Sequence, residues 1–105
     1  MTLKSARVVL RLYLLIALTA LWAQSDSLTT NPVYEKNCAK CHGKAATGRH
    51  FGGPALRSDN AAAASPDDLR NIITNGKGRM PKYGAKLTPD EIDTLVKQIE
   101  ALNKK

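Results

Sequence analysis

Two thiols and an imidazole stand together in Cys38-Ala39-Lys40-Cys41-His42. This C-x-x-C-H pattern reads as covalent attachment of one c-type haem through two thioethers. Three positions apart on a helical turn, Cys38 and Cys41 face the same side, so their sulfurs can add to two vinyl groups on one edge of a flat macrocycle. His42, directly after the second thioether, is then held beneath the iron as its proximal ligand. A structural disulfide between the same cysteines would close a very small loop and stabilise little. A thioredoxin-like redox pair wants a βαβ setting, and the chain has no alternating strand pattern. A zinc site would have to draw on Cys38, Cys41, His42 and His50, and a His adjacent to a ligating Cys does not match finger spacing.

The sixth iron position separates electron transfer from ligand binding or peroxide chemistry. Met80 lies 38 residues after His42, in Gly76-Lys77-Gly78-Arg79-Met80-Pro81-Lys82-Tyr83-Gly84. A core methionine normally occupies an apolar periodic segment. This one is surrounded by Gly, Pro and cations, so Met80 is read as the second axial ligand, with His42 the first.

Three helices are expected to position these groups. Each start combines a side-chain acceptor with a following proline: Asn31-Pro32, Ser65-Pro66 and Thr88-Pro89. Thr88 and Glu91 form a capping-box pattern, after which Ile92, Leu95, Val96, Ile99 and Leu102 recur at helical spacing. Asp93/Lys97 and Glu100/Lys104 stand four apart on the polar side. The middle helix carries Leu69, Ile72 and Ile73 and should stop at Asn75-Gly76. The first presents Val33 and Tyr34 before reaching Cys38. Two Gly-rich stretches, 43–53 and 76–84, lie between these elements, and the class is all-α. The role of the run Ala61 to Ala64 is open.

The 105 residues allow one compact domain at most. With 43% hydrophobic and 24% charged residues, the chain is neither disordered nor a polytopic membrane protein. Lys4, Arg7 and Arg11 precede an apolar run from Leu12 to Ala23, the pattern of a secretory signal peptide. Cleavage is expected near Ala23, then a polar leader over 24–30 and the functional domain over 31–105. Membrane contact is expected only if the segment 8–23 is retained as an anchor. Losing residues 1–23 removes Lys4, Arg7 and Arg11 and leaves 82 residues with 13 Lys and Arg against 9 Asp and Glu, a formal charge of +4. That modest, scattered excess, with Tyr34, Phe51 and Tyr83 as the remaining aromatics, gives no platform for nucleic acid. So short a chain has a thin core and needs a staple such as a cofactor.

With these residues in place the chain resembles the class I monohaem cytochromes c, in particular the bacterial soluble and cytochrome c6-like group, over residues 31 to 103. The resemblance implies three main helices wrapped around one covalent haem. It also covers Gly53-Pro54-Ala55-Leu56, where the family's Pro54 position accepts the Nδ1–H of the His ligand and the Leu56 position packs on the haem. It implies a crossing of first and last helices, with Tyr34 near Leu95 or Ile99. No mature Trp is present to contact a haem propionate, and Arg57, Arg70 and His50 are the candidates for that role. His50 otherwise reads as a solvated loop residue, and Lys77, Arg79, Lys82 and Lys86 form a basic rim around the methionine loop.

The implied function is an exported, non-enzymatic one-electron carrier. It is expected to be a monomer working in a periplasm, or less readily a thylakoid lumen, between transiently bound redox proteins. A haem subunit or tethered cytochrome of an oxidase or dehydrogenase complex is the alternative. A haem enzyme or ligand-binding protein follows if Met80 does not bind iron.

Overall fold

Proline at the first helical position and a hydroxyl or amide just before it set where the helices begin. In the computed structural model, which describes residues 27–104, a 3-10 turn at Leu28–Thr30 leads into α1 (Pro32–Asn37), α2 (Ala39–His42), α3 (Asp59–Ala63), α4 (Pro66–Asn75) and α5 (Pro89–Leu102). The signal segment 1–23 and its cleavage point lie outside the described residues. Among the described residues there is no strand, only an isolated antiparallel bridge between Lys77 and Met80, and no helix is long and apolar enough to cross a membrane.

All three expected starts are capped. Asn31 accepts from the Val33 N–H, and Thr88 with Glu91 closes a reciprocal box. Ser65 closes a second such box with Asp68, a pairing the sequence reading did not single out. Each cap contributes about 1 kcal/mol by satisfying an N–H that the helix itself leaves unpaired. The Ala61–Ala64 run forms most of α3, whose Ser58 N-cap accepts from the Ala61 N–H. The first helix is interrupted at Cys38, where φ is −115°, so the attachment motif occupies its own turn.

Tyr34, Leu28, Leu95 and Val96 are buried almost completely, and with Ile73, Ile92 and Ile99 they form a single core cluster. Each fully buried aliphatic contributes about 1.5–3 kcal/mol. Leu28 sits in the stretch read as a polar leader, yet it is 1% exposed. Its turn packs against both α1 and α5. Asn31 and Gln98, both buried, join across that junction through a 2.8 Å hydrogen bond in which Asn31 Nδ2 donates to Gln98 Oε1. Meeting of the two ends of the domain therefore involves a satisfied polar pair as well as apolar packing.

α4 packs along α5, pinned by Arg70, which pairs with Asp93 at 2.6 Å and with Asp67 at 2.7 Å. Asp93 thus turns to Arg70 rather than to Lys97, and Arg70 is committed within the helix pair instead of being available to a propionate.

Candidate haem-attachment site

α2 is a single turn, and its geometry follows from the backbone bonds Cys41 N to Cys38 O (3.1 Å) and His42 N to Cys38 O (2.9 Å). One helical turn apart, Cys38 and Cys41 form no disulfide, the first half-buried and the second exposed. Burial pushes the Cys38 thiol up to about 11, with the neighbouring Cys41 adding to the rise and Lys40 opposing it. Reactive redox thiols are shifted the other way, because the thiolate is the nucleophile. Among the described residues no three His, Cys, Asp or Glu side chains converge as a metal-holding group.

His42 Nδ1 lies 2.8 Å from the carbonyl oxygen of Pro54. A carbonyl only accepts, so Nδ1 carries a proton and donates to it, and Nε2 is the ring nitrogen left available to a metal. The same bond fixes the ring and raises its basicity. Beneath the ring lies Gly53, where a Cβ would stand 2.7 Å from Cε1 and 2.8 Å from Nδ1. Backbone alone fits there.

The Gly-rich stretch 43–53 wraps back onto α2. Gly48 N donates to His42 O (2.8 Å) and Gly53 N to Cys41 O (2.7 Å), and an Arg49 guanidinium nitrogen donates to Lys40 O (2.7 Å). Ala46, fully buried with φ of 60°, accepts at its carbonyl from the N–H groups of Leu56 and Arg57. Leu56 is partly buried and packs against the core. Asn103, just beyond α5, accepts from Ser58 N (3.0 Å) and donates to Leu56 O (2.8 Å). The Pro54–Ser58 segment is thereby held from both ends.

Met80 is half-buried and packs against the core. It closes a tight turn with Lys77, opened by Gly76 at φ of 77°, where a Cβ would stand 2.6 Å from Met80 O. The loop is strapped to α4 by Tyr83 N to Ile73 O (3.0 Å) and Gly84 N to Thr74 O (3.1 Å). It is also tied to the attachment segment, because the Tyr83 hydroxyl donates to Asn37 O at 2.9 Å.

Tyr34 makes the matching contact at the other end of the motif, donating to Gly43 O at 2.6 Å. Burial, then the nearby Cys38 charge, pushes the Tyr34 hydroxyl up to about 12. Tyr83 is raised by burial and then by Cys38 and Cys41.

Cys38, Cys41 and His42 thus share one turn with Pro54 bonded to the His42 ring, Leu56 and Met80 pack against the core, and exposed His50 lies against Phe51. Two cysteines on one turn and an imidazole whose Nε2 is available would hold a haem covalently beside the strapped methionine loop, and the haem would supply an iron redox centre. The tyrosine straps, the Asn103 clamp and the Gly53 constraint were not read from sequence. Of these only Gly53 had a signal, its place before Pro54.

Comparison with known proteins gives the same picture. A family model described as cytochrome c oxidase, cbb3-type, subunit III matches residues 28–99. Cytochrome c6 of Leptolyngbya boryana is 31% identical over 74 residues, covering 68% of this chain and 86% of that protein. Cytochrome c6 of Gloeothece citriformis is 32% identical over 72 residues, 67% of this chain and 66% of that one. The solved structure of the KustC0563 c-type cytochrome shares the fold at a TM-score of 0.62 and 23% identity, over 76% of this chain and all of that chain.

Proposed function

Because this chain belongs to the class I c-type cytochromes, haem proteins of electron transfer, we propose that it is an exported one-electron carrier with His42 and Met80 as axial ligands. The bond from His42 Nδ1 to Pro54 O carries this reading, since it leaves Nε2 as a fixed metal-binding nitrogen. The bound haem supplies a reversible one-electron iron couple. Cys38 and Cys41 anchor it covalently, while Leu56 and the core around Tyr34 and Leu95 keep water from one side. Met80, a neutral soft donor, favours ferrous iron and raises the potential. Partners are redox proteins met transiently in the periplasm, with Lys77, Arg79, Lys82 and Lys86, all exposed, favouring acidic complements.

Replacement of Met80 by Ala tests the ligand set. Haem should stay attached through Cys38 and Cys41, the weak near-infrared sulfur-to-iron band of the ferric protein should vanish, the potential should fall, and carbon monoxide binding and peroxidase activity should appear. An Ala variant with the wild-type potential and band would remove Met80 from the iron.

The family match favours a second reading, a haem-bearing part of an oxidase complex tethered through residues 8–23. Mass spectrometry separates the two. A soluble protein beginning near Gln24 with one haem supports the free carrier, and a membrane-retained chain containing residues 8–23 supports the tethered one.

A further inference from the structure

Phe51 is 94% exposed, the large apolar side chain that the described residues leave open to solvent. It also has φ of 64°, at the third position of a turn from Arg49 to Gly52 closed by Gly52 N to Arg49 O at 2.9 Å. That position favours Gly or Asn, and a bulky aromatic there is strained. The ring's aromatic neighbour is His50, itself exposed, edge-on at 4.3 Å.

The tip is nonetheless held firmly. Gly53 N donates to Cys41 O and Arg49 N to Gly53 O, and the Arg49 side chain reaches Lys40 O. Against the same turn lies an open depression of about 530 Å³ lined by Glu35, Ala39, Lys40, Gly43, Lys44 and Arg49. Three cations face one acid across it.

We propose that Phe51 is the apolar anchor of a docking surface on the Cys41 side of the haem-attachment helix, separate from the methionine-loop cations. Its partner is a redox protein presenting an apolar recess rimmed by carboxylates. This proposal rests on the electron-carrier reading. A rigid aromatic loses little entropy on being buried by a partner, which makes it a natural anchor. Lys40, Lys44 and Arg49 steer and orient the acidic rim. A free polyanion would engage the cations and leave the strained ring unexplained.

Voltammetry of the purified haem protein at gold electrodes coated with carboxylate-terminated, methyl-terminated or mixed monolayers tests the surface with probes of known chemistry. The wild type should transfer electrons fastest on the mixed film. Phe51→Asn, which tolerates positive φ, should slow that rate about tenfold, leaving the carboxylate film rate and the reduction potential unchanged. Lys44→Glu should slow transfer on both carboxylate-bearing films at low salt, and less at high salt. Equal rates for Phe51→Asn and wild type on the mixed film would overturn the proposal. A shifted potential would also overturn it by placing the ring on the haem, and so would a wild-type dimer in sedimentation that Phe51→Asn dissolves, by giving the face to a second copy. Absence of a reversible iron couple on every film would instead defeat the electron-carrier reading.

Discussion

At residue 53 the smallest possible side chain is already too large. A Cβ would lie 2.7–2.8 Å from two atoms of the His42 ring, while Gly53 N is committed to Cys41 O, so Gly53→Ala must either lift the loop from α2 or push the imidazole off the Pro54 carbonyl. Overpacking of this kind costs about 1–3 kcal/mol. We expect a lower urea midpoint together with a raised reduction potential, because an imidazole that no longer donates from Nδ1 is less basic and stabilises ferric iron less. Retention of the Nδ1–H signal in the proton spectrum and of the wild-type potential would show that the ring stays seated. Pro54 was legible in the sequence because its neighbours form a motif. The constraint on Gly53 was not, since it is a distance between a backbone atom and a ring eleven residues earlier. The same reasoning applies to Arg70, whose commitment to Asp67 and Asp93 depends on how two helices lie together.

Among the elements, α4 and α5 were legible because caps, proline and apolar spacing all agree within a short window. α3 was not, since an alanine run carries no face, and the Ser58 acceptor that starts it reads as one polar loop residue among several. The least legible feature at this scale is the clamp beyond α5. Asn103 accepts from Ser58 N, 45 residues away, and donates to Leu56 O, 47 residues away, and to Ile99 O within its own helix. The C-terminal helix thus holds the segment that carries Pro54 and Leu56. Asn103→Ala leaves the Ser58 N–H and Leu56 carbonyl without these partners and should destabilise the protein by about 1–3 kcal/mol. Amide exchange should quicken at Ser58 more than at Val96, in the helix core. Uniform acceleration across α5 would mean that Asn103 caps the helix and does not clamp the loop.

Across the whole molecule, two buried tyrosines from opposite ends of the fold bracket the attachment motif. Tyr34 of α1 donates to Gly43 O after it, and Tyr83 of the methionine loop donates to Asn37 O before it. Each tie requires a protonated hydroxyl, and both hydroxyls are raised above the ordinary tyrosine value, Tyr34 to about 12. Burial is the first cause in each case, so the direction persists when the cysteines are thioethers and carry no charge. A folded-state value above the unfolded one means that the native state holds its protons longer. The stabilisation is therefore complete below about pH 10 and is lost as pH rises from about 10 through about 12. Urea midpoints followed by far-ultraviolet circular dichroism should fall over that window in the wild type. Tyr34→Phe should start lower at pH 8, having left the Gly43 carbonyl with the Ala46 N–H alone as donor, and should then decline less steeply, with the Tyr34→Phe/Tyr83→Phe double variant flatter still. Every other charged side chain is common to all the variants, so its contribution cancels in the comparison. Parallel curves for wild type and double variant would place the alkaline loss elsewhere and would show that the two hydroxyls do not govern how tightly the ends of the fold close around the haem-attachment segment.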